Sequence, residues 1–330
     1  MPDGKINNQM SSFKELSAKF EERFCVPHFP AQPQNLYEAA QYLLSFGGKR
    51  IRPVLCLMGN ELFEEVSEDA FHAAMAIELF HNFTLVHDDI MDKAPLRRGA
   101  DTVHTKFGES TALLAGDVML IQVYNYLNKI GLKYLHSVLD LFNRTAQQVC
   151  EGQQMDMDFE NRVEVNFEEY VKMIELKTSV LLAGSIQLGA ILGGSGIRNQ
   201  EQLFEFGKNL GIAFQVQDDY LDAFGDPEKF GKKWGGDIMA NKKTFLWIQA
   251  TKVATLAQRE EMTRLLKIND ESKIASMLAI YKDCNIDDWA KELKQEYLKK
   301  AMHHLEEVAV ISVRKQPLEV LANYLMNRDV

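Results

Sequence analysis

The sequence predicts an all-α fold, on three observations. Apolar residues recur at intervals of three and four through most segments, the spacing that lays one face of a helix on a core. No run of alternating apolar and polar residues is bounded by hairpin turn signals, so no sheet is expected. No proline falls between Pro95 and Pro227, which leaves the middle of the 330-residue chain open to long uninterrupted helices. The helical stretches are then divided by breaks read in order along the chain: Pro27 to Pro33, Phe46-Gly47-Gly48, Pro95 to Gly99, and Gly225 to Gly236. Between the last two lies an uncharged segment, Thr178 to Ile197, that approaches the length of a bilayer span. Its Thr178, Ser179, Ser185, Gln187, Ser195 and five glycines favour a buried helix with close neighbours over stable membrane insertion. Length alone suggests about two domains, but no linker or fixed-period repeat divides the chain, so residues 1–330 are expected to form a single domain.

Composition excludes several classes of function. A hydrophobic content of 46% supports a large core. A net charge of −10 and a pI near 5.4 argue against a nucleic acid partner, which needs a basic face. An anionic ligand must then be met by local basic clusters. Cys25, Cys56, Cys150 and Cys284 are scattered with no Cys-x-x-Cys pair, so neither a zinc site nor a disulfide framework is indicated. The charged N-terminal stretch (Lys14, Glu15, Lys19, Glu21, Glu22) lacks the apolar core of a signal peptide, and a cytoplasmic location is expected.

Chemistry enters with two copies of one acidic motif, Asp88-Asp89-Ile90-Met91-Asp92 and Asp218-Asp219-Tyr220-Leu221-Asp222. Residues four apart share a helix face, so Asp88 with Asp92, and Asp218 with Asp222, form carboxylate pairs. A lone motif of this kind is ordinarily a solvated helix face. Here each copy follows an apolar run, Phe83 to Val86 and Ile212 to Val216, where like charges need a cation to be tolerated.

Each acidic motif is followed by a basic, glycine-containing loop. Arg97-Arg98-Gly99 follows the first, where the arginines could also simply neutralise the neighbouring aspartates. Gly231-Lys232-Lys233 and Asn241-Lys242-Lys243 follow the second, where a solvated loop is the plain alternative. A third cluster, Gly47-Gly48-Lys49-Arg50-Ile51-Arg52-Pro53, sets three cations at a loop-to-helix junction suited to anions. Carboxylates alternating with cations suit a polyanion held together with a divalent metal; magnesium takes one or two carboxylates, phosphate oxygens and water.

These motifs, in this order, resemble the trans-isoprenyl diphosphate synthases of the polyprenyl synthetase family, the short-chain type that makes farnesyl and geranylgeranyl diphosphates. The similarity runs from Gly-Gly-Lys-Arg-Ile-Arg-Pro through His-Asp-Asp-Ile-Met-Asp, Arg-Arg-Gly and Lys177-Thr178 to Phe-Gln-x-x-Asp-Asp-Tyr-Leu-Asp and Gly-Lys-Lys-x-Gly-Gly-Asp. The resemblance implies an orthogonal helical bundle around a deep central cavity, the isoprenoid synthase fold, usually as a homodimer. It implies head-to-tail condensation of isopentenyl diphosphate with an allylic diphosphate, with three magnesium ions per site. Asp88, Asp92 and Asp218 would carry the metal, with Asp222 and Asp89 as further acidic groups. Arg97, Lys177, Lys232 and Lys242 would contact the allylic diphosphate, with Lys233 able to replace Lys232. Lys49, Arg52, His81 and Arg98 would hold isopentenyl diphosphate. Thr178 and Gln215 would turn oxygen dipoles toward the allylic cation.

Phe83 and Thr84 lie five and four positions before Asp88, where the family's chain-length floor is expected. The bulky residue only at the farther place matches the family's twenty-carbon pattern, geranylgeranyl diphosphate, with farnesyl diphosphate the alternative. A terpene cyclase would usually carry an Asn/Ser/Glu metal motif in place of one aspartate motif, and a non-catalytic subunit of a heteromeric synthase would have lost aspartates. The C-terminus has a single arginine, Arg328, where some relatives carry a basic cluster.

Overall fold

A computed structural model describes residues 10–160, 162, 164–225 and 235–327. They cluster into two compact units, one from Met1–Arg144, Gly184–Phe204 and Val308–Pro317, the other from Thr145–Ala183, Glu205–Glu307 and Leu318–Val330.

In the first unit, α1 (Phe13–Phe24) starts at a reciprocal cap: Ser12 Oγ accepts from Glu15 N at 3.3 Å, and the Glu15 carboxylate accepts from Ser12 N at 2.6 Å. α2 (Gln34–Leu44) and α3 (Ile51–Glu61) flank the Gly47-Gly48 break, and α4 (Glu68–Met91) follows. Ala70, Phe71, Ala74, Ile77 and Phe80 bury several faces of α4, as a core helix requires. Beyond α4 the chain departs from the sequence reading. Strands β1 (Leu96–Arg97) and β2 (Ala100–Asp101) pair antiparallel in a minimal ribbon. Two-residue strands are too short for alternation to show; the ribbon is made by its turn, where Arg98 and Gly99 take φ of 54° and 78°. α5 (Val103–Phe107), α6 (Glu109–Leu127) and the first part of α7 (Leu132–Glu160) complete the run. α6 packs along α4, where Gly116 leaves room for the His87 ring.

The second unit holds the rest of α7, α8 (Phe167–Ile174), a π-helical turn (Glu175–Ser179) and the start of α9 (Val180–Leu192). α10 (Ile197–Phe224), α11 (Gly236–Met239), α12 (Phe245–Val253), α13 (Leu256–Leu265), α14 (Ser272–Asp283), α15 (Ile286–Glu307) and α16 (Ser312–Met326) follow, the N-terminal ends of α10 and α16 belonging to the first unit. Tyr170, Ile174, Ile212, Val216, Phe245 and Tyr281 lie in its core. The helical stretch Phe167–Leu192 is long and apolar enough to cross a membrane, yet 78% of its most apolar window is buried, as in a core helix.

Candidate active site

The first unit carries the first acidic motif and the residues expected to hold isopentenyl diphosphate. Asp88 and Asp92 end α4 one turn apart, joined by the Asp92 N–H donating to the Asp88 carbonyl at 2.8 Å. Asp88 is half-buried and Asp92 exposed; Asp89, between them, is buried. Arg97 reaches Asp89 with two donor edges, Nε to Oδ2 at 2.8 Å and Nη2 to Oδ1 at 2.7 Å. A bidentate pair of this kind pins the ribbon to the helix and neutralises a buried carboxylate. The structure thus puts Arg97 in the neutralising role that the sequence left open, rather than on open surface.

Arg52, His81 and Arg98 come together electrostatically. Arg52 Nη1 lies 3.3 Å from His81 Nε2, so the imidazole accepts there and is neutral. Burial, then the charges of Arg52, Arg98, Arg97 and Arg50, push the His81 pKa well below its usual range. Burial also lowers the Arg52 guanidinium to about 10, against a weaker pull from Glu78, and its Nε is buried with no hydrogen-bond partner. Arg98 Nη1 donates to the Gly47 carbonyl, and a side chain at position 48 would meet the same guanidinium at 3.3 Å. The Gly-Gly break is therefore the bed on which Arg98 lies. Lys49, which follows Gly48, is exposed. Arg50 is of another kind: left-handed at φ 49° and buried, it bonds Glu21 at 2.7 Å and Glu78 at 2.5 Å and holds the loop in place.

Phe83, half-buried, lies in a ring stripe on α4, with centroids 5.6 Å from Phe80 and 4.7 Å from His87. Thr84 returns its hydroxyl to the His81 carbonyl at 2.8 Å, leaving its small methyl as the only other bulk at that position.

In the second unit a cavity of about 600 Å³ is lined by Lys177, Thr178, Gln215, Asp218, Asp222 and Lys242 among others, six of the residues that the sequence selected. The π turn presents two of them. Lys177 Nζ bonds Asp156 Oδ2 at 2.5 Å, and the Thr178 hydroxyl lies 3.4 Å from Gln215 Oε1. Such one-residue insertions in a helix recur at functional sites. Close approach of α7 makes it possible, since a Cβ on Gly152 would lie 2.2 Å from the Lys177 nitrogen. Asp219 is buried and receives Tyr170 Oη and Gln215 Nε2, each at 2.8 Å. Burial, then the charge of Asp237, raises the Asp219 carboxyl to about 7. Asp222 Oδ2 accepts from the Asp237 N–H at 3.0 Å, while Lys242 Nζ lies 3.5 Å from Asp237 Oδ1. Lys232 and Lys233 lie outside the described residues.

Sequence reasoning missed Asp156, Tyr170 and the role of Asp237. Asp156 and Glu160 stand four apart on α7 and both line the cavity, the same spacing that exposed the two motifs. Tyr170 reads as ordinary core and gave no signal. Among the described residues no group of three His, Cys, Asp or Glu side chains forms a ready-made metal cage. The one-turn spacing of Asp88 and Asp92 offers the kind of carboxylate pair that magnesium takes together with phosphate oxygens and water.

Such a site suits a diphosphate held through divalent cations, with neutral oxygens beside an electron-poor carbon. The polyprenyl synthetase family model matches residues 33–284. A geranylgeranyl pyrophosphate synthase of Geoglobus acetivorans is 39% identical over 300 residues, covering 90% of this chain and 92% of its own. A short chain isoprenyl diphosphate synthase of Methanothermobacter thermautotrophicus is 34% identical over 321 residues, covering 97% and 98%. A crystal structure of a geranylgeranyl pyrophosphate synthase superposes with a TM-score of 0.92 at 40% identity, covering 97% of this chain and 99% of that one. The chain belongs to the polyprenyl synthetase family, and with it to the short-chain prenyltransferases of isoprenoid synthase fold, magnesium enzymes that act on isoprenoid diphosphates.

Proposed function

We propose that this chain condenses isopentenyl diphosphate with allylic diphosphates up to geranylgeranyl diphosphate, and that residues 1–330 work as one synthase domain. The family match, which spans residues from both units, supports the second point. The observation that carries the first is the Thr178–Gln215 oxygen pair beside Asp218 and Lys177 in one cavity. Asp88, Asp92, Asp218 and Asp222 would hold three magnesium ions, which when bound would supply positive charge to stabilise the departing diphosphate. Lys177, Lys242, Lys232 or Lys233, and Arg97 through the Nη1 that Asp89 leaves over, would bind the departing diphosphate. Lys49, Arg52, His81 and Arg98 would orient isopentenyl diphosphate so that its double bond attacks as the carbon–oxygen bond breaks. Neutral oxygens of Thr178 and Gln215 stabilise the cation without capturing it, and the proton lost at the end passes to the diphosphate. Exclusion of water protects that cation.

The Leu114, Ile121 and Tyr124 side chains expose an apolar stripe on α6 (55%, 61% and 42% exposed), which supports a homodimer closed over that face. Cys25, Cys56, Cys150 and Cys284 are free thiols, which supports a cytoplasmic enzyme. A chain-length floor at Phe83, with only a threonine hydroxyl and methyl at position 84, supports the twenty-carbon product over farnesyl diphosphate.

Purified protein given magnesium, isopentenyl diphosphate and each allylic starter in turn should yield a twenty-carbon product; Phe83→Ala should shift it longer and Thr84→Phe shorter. No product from any starter would sink the enzyme reading. An unchanged distribution in both variants would sink the floor alone.

A further inference from the structure

Tyr170 stands outside every motif, yet two hydrogen bonds join it to the polar end of the cavity. Its hydroxyl donates to Asp219 Oδ2 at 2.8 Å. The other oxygen of that carboxylate, Oδ1, accepts from Gln215 Nε2 at 2.8 Å, and Gln215 Oε1 faces the Thr178 hydroxyl at 3.4 Å. The sequence of contacts has a direction. One end of an amide only donates and the other only accepts, and both oxygens of the Asp219 carboxyl accept here, Oδ2 from Tyr170 and Oδ1 from the donor end of Gln215. Asp219 therefore decides which way round Gln215 sits. Tyr170 decides where Asp219 sits, because its ring is 7% exposed and packed 6.4 Å from the Phe245 ring in the core of the unit. Without the phenol, the carboxylate is anchored at one oxygen only, and amide and carboxylate can turn together.

The sense of that amide matters to the proposed chemistry. With Oε1 toward the reacting carbon, the dipole presents its negative end to a developing cation; turned over, it presents an N–H and destabilises the same species. We propose that Tyr170 is a positioning residue for the condensation, acting through Asp219 to keep the oxygen of Gln215, not its nitrogen, toward the allylic carbon. The inference rests on the prenyltransferase reading above.

A double-mutant cycle on the full chain tests it, with Tyr170→Phe, Gln215→Ala and the pair. Tyr170→Phe keeps the ring and should lower kcat about tenfold, the size expected for one buried hydrogen bond, while KM for each diphosphate stays within about twofold. In the Gln215→Ala background the same change should alter kcat by less than about twofold, because the group it positions is gone. Asp219→Asn offers a second route if Tyr170→Phe folds poorly. It conserves volume but gives the amide a donor as well as an acceptor to face, so the same non-additivity with Gln215→Ala is expected. Equal losses in both backgrounds, or a rise in KM at constant kcat, would mean that Tyr170 acts only on the packing of the unit. A parent chain that makes prenyl products alongside an additive cycle overturns this inference alone; a parent that makes none overturns the functional reading beneath it.

Discussion

Arg52 combines three properties that rarely coexist: a buried Nε without a partner, a neighbouring neutral histidine, and a pKa lowered to about 10 by burial. A guanidinium in that condition has unmet donors and too little countercharge, and an arriving diphosphate supplies both. Arg52→Ala should therefore raise KM for isopentenyl diphosphate by about 10- to 100-fold and leave KM for the allylic substrate nearly unchanged. Steady-state kinetics with each substrate varied would show it, and equal rises in both would remove the assignment. Adjacent cations in a sequence do not reveal which of them point inward. Lys49, Arg50 and Arg52 read alike, yet Arg50 is spent on Glu21 and Glu78 and only Arg52 reaches His81. Arg97 was ambiguous for the same reason, since its partner Asp89 differs from Asp88 only by one helical step.

At the scale of elements, the breaks at Pro27 to Pro33, Gly47-Gly48 and Pro95 to Gly99 were legible because proline and glycine act locally, and helices do end there. The π turn was not, because it depends on a partner helix far away in sequence: α7 comes so close at Gly152 that the backbone around Leu176 and Lys177 meets it directly. Gly152→Ala separates two opposed effects. Alanine favours an isolated helix by about 1 kcal/mol, whereas a Cβ 2.2 Å from the Lys177 nitrogen forces the backbones apart at about 1–3 kcal/mol. The second effect should win: the melting temperature falls and kcat falls with it as Lys177 and Thr178 are displaced. Thermal melting with parallel turnover would check it, and a variant that melts higher than the parent would refute the close approach. The Leu96–Asp101 ribbon was missed because strands two residues long leave no pattern to count.

For the whole molecule, binding and folding meet at the acidic motifs. Asp218 shares its cavity with Asp219, Asp222 and Asp237, an arrangement of like charges that costs stability until cations arrive. Asp88→Asn and Asp218→Asn should each cut turnover by several orders of magnitude yet leave the protein without magnesium equally or more heat-stable. Magnesium with a diphosphate ligand at about 100 times its Kd should stabilise the parent by about 2.7 kcal/mol and either variant far less. Scanning calorimetry on the three proteins would decide it, and near-parental turnover in both variants would end the two-motif mechanism. The Arg52 and Arg98 guanidiniums beside the neutral His81 have a further consequence, because they sit on a chain whose net charge is −10. At a distance the protein repels its own polyanionic substrates, and attraction takes over only near the basic cluster. Those two fields respond differently to ionic strength: modest salt silences the long-range repulsion first, while stronger salt, at a screening length of about 3 Å, reaches the contact itself. Capture of isopentenyl diphosphate, followed as kcat/KM, should accordingly pass through a maximum as salt is raised rather than decline from the start.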